Sequence, residues 1–420
     1  MKDSRWSLCL ILPLLLYGCD TTNVPAPGEA AQSDKPRVLD PVVPAGDLDE
    51  LVAGNNAFAW DLYGQVSGTP GNVFYSPYSM SVALAMTYAG ARTQTETAMA
   101  QAMHYTLPQA RLHPAFNLLD QGLAGRAETG GFELHIVNRL WGQTGFTFLA
   151  AFLDTLAENY GAGLNLLDFQ ADPEGSRTSI NDWVAAVTAQ RIKDLIPSGA
   201  VDSSTRLVLT NAIYFKAHWL DQFEPANTQD APFTLLDGSQ VTVRMMYQQT
   251  GYSYAAGADY QAVELPYEGD ELSMVILLPA AGQFEAFEGT MTAERLAAIV
   301  AGLSPQEVGL SLPKFTFEWS AGLADVLTAL GMGIAFDPGS ADFSGMSDTA
   351  LFIQAVVHKA FVAVDEEGTE AAAATAVIAG LTAAPAEPII LRVDRPFLFV
   401  IRDRVSGTLL FVGRVVNPSA

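Results

Sequence analysis

A glycine followed by a run of small residues sets the tightest limit on how this chain folds. Residues 365–377 read Asp-Glu-Glu-Gly-Thr-Glu-Ala-Ala-Ala-Ala-Thr-Ala-Val. Gly368 has no Cβ and can take backbone angles that other residues avoid. In an extended chain the side chains that follow alternate between two faces. Thr369, Ala371, Ala373, Thr375 and Val377 form one face, and Glu370, Ala372, Ala374 and Ala376 the other. The first face carries no charge and little bulk, so it can enter a packed sheet without burying an unpaired charge. Alanine is also the best helix former and a poor strand residue, which favours an exposed helix or a linker. Composition alone leaves both readings open.

The chain has 420 residues, of which 49% are hydrophobic. That is enough for a large core in one large domain or in two to three average ones. Lys and Arg total 22 against 46 Asp and Glu, a net charge of −24. This balance argues against nucleic acid or an anionic membrane surface as the main partner, and against a heparin-type basic patch. It fits a monomer kept apart by self-repulsion.

Residues 1–18 read as a secretory signal. Lys2 and Arg5 precede the apolar run 8–16, which is too short for a stable membrane span. The ending Leu16-Tyr17-Gly18-Cys19 resembles a bacterial lipoprotein cleavage site, which implies a lipid on Cys19 and a place in the cell envelope. Ordinary secretion, with Cys19 a bystander, implies the extracellular space instead. Cys9 leaves with the signal, so no pair remains for a disulfide and no thiolate cluster for a metal. Residues 20–46, low in aromatics and rich in Pro, Ala, Gly and Asp, read as a flexible tether. The folded domain, residues 47–420, begins near Asp47.

Leu51, Phe58 and Leu62 recur at helical spacing. Residues 72–99 read as a strand, a turn at Pro77 and a buried helix with Ser79 as its cap. A strand is expected over 132–141 and a helix over 148–160, stopped by Gly161. A second helix is expected over 176–195. Residues 207–219 begin as a strongly apolar strand. Two strands flank Glu268-Gly269-Asp270, a hairpin turn. Residues 310–317 alternate as one half-exposed strand, 323–330 are helical, and 352–364 form the strand before the hinge.

The chemistry of a hydrolase or nucleotide enzyme is not visible. No Gly-x-Ser-x-Gly elbow, His-Glu-x-x-His pair or phosphate-binding loop occurs. The histidines at 104, 113, 135, 218 and 358 lack metal-ligand spacing, and no cofactor is implied.

Several motifs in order carry a family resemblance. The run 358–375, HKAFVAVDEEGTEAAAAT, resembles the hinge of the serpin family. The segment 72–99, the residues ADFSGM at 341–346 and the ending FVGRVVNP at 411–418 are similar to further serpin segments. The resemblance spans roughly residues 47–418. It implies an α+β fold with three β-sheets, about eight to nine helices, and an exposed reactive-centre loop over about 366–390. It also implies an inhibitor of serine proteases rather than an enzyme. The protease attacks the loop, and the loop then inserts into the main sheet and traps the acyl-enzyme. In this reading Glu367, Gly368, Thr369, Glu370, Ala371, Ala372, Ala373, Ala374 and Thr375 form the hinge. Ser76, Ser79, Asn211 and His358 form a "shutter" cluster under the sheet, and Trp219 marks the "breach" where the loop enters. A non-inhibitory serpin acting in storage, carriage or chaperoning is the alternative, but such relatives often carry charge or bulk at the inward hinge positions.

Counting from the hinge places the scissile bond at Thr382–Ala383, beside Leu381; counting back from Arg395 places it near Pro385. No Lys or Arg lies between Gly368 and Leu391, which argues against a trypsin-like target. Small and medium apolar residues there suit an elastase-like or subtilisin-like protease, and Leu381 a chymotrypsin-like one.

Overall fold

The computed structural model describes residues 24–129, 132–369 and 387–420. Nine helices occur among these residues: α1 (Asp47–Val66), α2 (Pro77–Tyr88), α3 (Thr93–Ala102), α4 (Gln109–Thr129), α5 (Ala150–Tyr160), α6 (Pro173–Val187), α7 (Phe284–Glu288), α8 (Ala293–Ala301) and α9 (Ala324–Leu327). The strands are β1 (Glu29–Ala31), β2 (Val73–Tyr75), β3 (Phe132–Gln143), β4 (Leu164–Leu167), β5 (Leu207–His218), β6 (Gln229–Thr234), β7 (Gln240–Ala256), β8 (Tyr260–Pro266), β9 (Leu272–Pro279), β10 (Ser304–Pro313), β11 (Phe315–Gly322), β12 (Ala355–Val364), β13 (Gly368–Thr369), β14 (Ile389–Arg392), β15 (Phe397–Asp403) and β16 (Leu409–Val415). The class is α+β, as expected.

The main sheet runs β1-β4-β3-β5-β13-β12-β11. The second network runs β14-β10-β7-β8-β9-β15-β16-β2, with β6 also on β7. The two smaller sheets implied by the resemblance are joined here, because the 17-residue β7 serves both. Its first residues, Gln240–Met245, pair with β6, Met245–Tyr254 pair with β10, and its last residues, Ser253–Ala256, pair with β8. The core lies between the two networks, where Phe317 and Phe215 of the main sheet meet Phe74 and Phe411 of the second. On the other face of the main sheet α6 packs Trp183 and Val184 against Val137, Trp141, Val208 and Val357.

Local chemistry explains most of the boundaries and corrects several expectations. α2 is buried along its whole length and starts one turn earlier than expected. Its cap is Ser76, whose hydroxyl accepts from the Ser79 N–H, and Pro77 takes the first helical position, where no N–H is needed. Ser79 lies inside the helix, not at its cap. The expected strand over 310–317 is two strands in different sheets, separated at Lys314. The hairpin at Gly269-Asp270 holds, with both residues at positive φ, as tight two-strand turns require.

α6 ends at Val187, eight residues short of the expected 195. Ala189 and Gln190 take left-handed φ of 49° and 64°, and the Gln190 N–H closes onto the Ala185 carbonyl at 2.7 Å. A side chain with Cβ is strained there by roughly 1 kcal/mol. Gln190→Gly is therefore expected to stabilise the protein by about that amount in urea unfolding. A loss of stability would show that the Gln190 side chain supplies contacts worth more than the strain.

Residues 24–38 do not form the free tether expected from their composition. β1 adds an edge strand to β4, and Trp183 donates its indole N–H to the Val24 carbonyl at 3.0 Å. Lys35 reaches Asp154 and Glu158 of α5, while Arg37 reaches Asn117 and Asp120 of α4. The arm is held by partners that only the folded body assembles.

Candidate functional site

The top of the main sheet is split by a short wedge. β5 and β12 pair directly and in parallel from Val208↔Ala355 to Tyr214↔Phe361. Above that point β13 separates them, antiparallel to both, through Thr369↔Val364 on one side and Gly368↔His218 and Thr369↔Ala217 on the other. The turn into the wedge is tight. Asp365 accepts from the N–H groups of Glu367 and Gly368 and donates its own N–H to the Gly368 carbonyl.

Gly368 is required here for closeness, not for an unusual φ. It is absent from the left-handed positions, but a Cβ on it would stand 2.0 Å from the Ala217 carbonyl oxygen. Thr369 is 1% exposed, and its hydroxyl lies 2.8 Å from the Tyr267 hydroxyl. Its side chain thus points into the core, the face that alternation assigned to it. Burial pushes the Tyr267 phenol well up, so it stays neutral beside the hinge.

Trp219 lies next to the wedge. Its ring stacks on Tyr267 at 4.7 Å and 9°. Its indole N–H donates to the Asp365 carbonyl at 3.0 Å, and its backbone N–H to the Glu367 carbonyl at 2.9 Å. The sequence pointed to Trp219, Glu367 and Thr369 but not to Tyr267, Glu366, Thr228 or Lys314 around them. Glu366, 9% exposed, accepts from the Thr228 hydroxyl and pairs with Lys314. Burial raises its pKa, but the bonds from Lys314 and Thr228 outweigh that and hold it below the usual carboxylate range. Glu367 gives its backbone to Trp219 and leaves one buried carboxylate oxygen unpartnered.

Lower in the sheet Asn138, Asn211 and His358 stand level on β3, β5 and β12, as direct register partners. The N-terminus of α2 meets this row. Asn211 donates to the Ser79 hydroxyl at 2.6 Å and to Asn138 Oδ1. Ser79 Oγ donates to Asn138 Oδ1 at 3.1 Å, and Asn138 Nδ2 to the Ser79 carbonyl at 3.0 Å. His358 Nδ1 faces Asn211 Oδ1, and Nε2 accepts from the Ser76 N–H at 3.4 Å. This pattern requires a neutral imidazole protonated on Nδ1. All four residues picked from the sequence come together, with Asn138 added. Four of the ten residues 132–141 are polar or charged, so nothing in the sequence singles Asn138 out.

Burial drives the His358 pKa down to about 3. The unfolded value is near 6.5, so its stabilising contribution is complete above that pH and is lost as the pH falls towards the folded value. At pH 5 the loss is roughly 2 kcal/mol. His113, also buried with a pKa of about 3, adds a term of the same sign. Between pH 7 and 5 the urea midpoint should fall, and His358→Gln should remove roughly half of that histidine-linked slope. An unchanged slope would mean His358 is charged or exposed in the fold.

The remaining hinge residues Glu370, Ala371, Ala372, Ala373, Ala374 and Thr375, the bond residues Leu381, Thr382 and Ala383, and Cys19 lie outside the described residues. Among those described, no group of three or more His, Cys, Asp or Glu could hold a metal ion. No described helix is long and apolar enough to cross a membrane.

Comparison with known proteins agrees with this geometry. The family model of serpins (serine protease inhibitors) matches residues 53–418. An uncharacterized serpin-like protein of Thermococcus kodakarensis is 40% identical over 428 residues, 99% of each chain. Human leukocyte elastase inhibitor is 40% identical over 383 residues, 88% of this chain and 100% of that protein. Human thyroxine-binding globulin complexed with thyroxine superposes with a TM-score of 0.80 at 30% identity, covering 89% of this chain and 100% of that one. The thermophilic serpin tengpin, in its native state, gives 0.82 at 26%, covering 93% and 100%. With the family model matched across most of its length and relatives at this identity, the chain belongs to the serpin family.

Proposed function

We propose that this protein is an inhibitory serpin, a suicide inhibitor of serine proteases of elastase-like, subtilisin-like or chymotrypsin-like specificity. The observation that carries the proposal is the wedge: β13 already lies antiparallel between β5 and β12, with an uncharged Thr369 turned inward. Continuing its register would set Ala371 between Phe215 and Val362, Ala373 between Ile213 and Ala360, and Thr375 between Asn211 and His358. No inward position of this strand carries charge or bulk. The protease serine attacks the carbonyl at the bond near Thr382–Ala383, expels the new amine and remains as an ester on the loop. The freed loop then enters the sheet and carries the tethered protease with it.

Insertion replaces a parallel ladder between β5 and β12 with two antiparallel ones, which are more stable per residue. If about ten ladder bonds are gained at a net ~1 kcal/mol each, the gain is on the order of 10 kcal/mol. The Asn138-Asn211-His358 row would hold the sheet closed until then, as the shutter.

The likeness to thyroxine-binding globulin keeps a binding or carrier role as the alternative, with the clean inward face of the hinge against it. Residues 1–19 support export with a lipid on Cys19, and the acidic balance supports a monomer. The test is incubation with elastase, subtilisin, chymotrypsin and trypsin, followed by a denaturing gel and the mass of the released C-terminal fragment. A denaturation-resistant complex with one of the first three, and a fragment starting between residues 382 and 386, is expected. Clean cleavage by all four without a complex would refute inhibition.

A further inference from the structure

Arg139 lies on the α6 face of β3 with its guanidinium 5.1 Å from the centre of the Trp183 ring. Among the described residues it has no carboxylate partner, in a chain with 46 acidic residues against 22 basic ones. Other partly buried arginines are all provided for. Arg37, Arg126, Arg177, Arg402 and Arg414 meet carboxylates, while Arg92 and Arg206 meet backbone carbonyls. Arg139 Nε is buried without an acceptor. Burial lowers the pKa of the guanidinium, as expected for a cation taken from water beside a ring face rather than a carboxylate.

The surroundings are a groove rather than a packed core. β3 pairs with β4 only through Leu140–Gln143, so residues 132–139 have no strand on that side among the described residues. Two cavities, of about 260 and 390 Å3, open there and share Val24 and Arg139 in their walls. The smaller is lined mainly by apolar groups, including Leu134, Ile136, Val137, Trp183 and Val187. The larger runs under the docked arm beside Asn165.

We propose that this groove binds an amphipathic monocarboxylate, with the carboxylate on Arg139 and the apolar body against Trp183 and Val187. A guanidinium matches a carboxylate by paired N–H donors. The apolar wall selects an organic acid over a small inorganic anion, since only the former removes that wall from water.

The test is isothermal titration of the purified protein with octanoate, with octanol and inorganic phosphate in parallel. Saturable one-to-one binding of octanoate is expected, with both comparators at least tenfold weaker. Arg139→Gln should weaken octanoate at least tenfold. Val187→Phe, which fills the groove and keeps the charge, should weaken it as well and serves if Arg139→Gln does not fold by circular dichroism. The proposal is overturned if octanoate does not bind saturably, if octanol or phosphate binds as well, or if a folded variant binds octanoate as tightly as the parent.

Discussion

Thr369→Arg should turn the inhibitor into a substrate. Thr369 is buried at the tip of the wedge, paired to Val364 and Ala217 and hydrogen-bonded to Tyr267. Tyr267 is itself fully buried and stacked on Trp219, so the side chain that meets position 369 offers a guanidinium no carboxylate. An unpaired buried charge costs about 3 kcal/mol or more. That corresponds to roughly a hundredfold shift between insertion and release of the cleaved loop. The gel should show cleaved protein in place of the complex, while the cleavage rate stays near that of the parent. Thr369→Val, which loses only the hydroxyl, should keep most of the complex. Full, stable inhibition by Thr369→Arg would rule out insertion through this position.

The second large effect is expected at Glu366. Glu366→Lys would place two ammonium groups together at a site where the Thr228 hydroxyl also loses its acceptor. Disrupting a buried pair by changing one partner costs about 3–5 kcal/mol. The partly exposed side of Lys314 places this site near the lower figure. Adding Lys314→Glu to Glu366→Lys should restore most of the loss, because the pair is then re-formed with its charges exchanged. The urea midpoint measures both. A single variant as stable as the parent, or a double variant no better than the single, would show that the pair contributes little.

What could be read from the sequence was local. The apolar run of β5, the Gly161 stop of α5, the turn at Gly269-Asp270 and the alternation after Gly368 each follow from neighbouring residues. What could not be read depends on residues far apart in the chain. Lys314 and Glu366 are 52 positions apart and meet only when two sheets converge. Asn138 gains a role because β3 and β5 fix it level with Asn211 and His358. The arm at 24–38 has the composition of a linker, yet Arg37 and Lys35 find carboxylates that α4 and α5 supply. Lys314 separates two strands because the chain passes from one sheet to the other there, which alternation alone does not reveal. Gly368 was legible as a special position, but the reason differs: the Ala217 carbonyl leaves no room for a side chain.

The central claim is that the cut loop becomes a strand of the main sheet. The melting temperature of the intact protein, compared with that of protein cut once in the loop by a protease it does not trap, tests this most directly. About ten new ladder bonds across a protein of this size predict a rise on the order of 10 °C. A cut protein that melts at the same temperature as the intact one, or below it, would contradict insertion and leave the wedge as a fixed feature of a non-inhibitory fold.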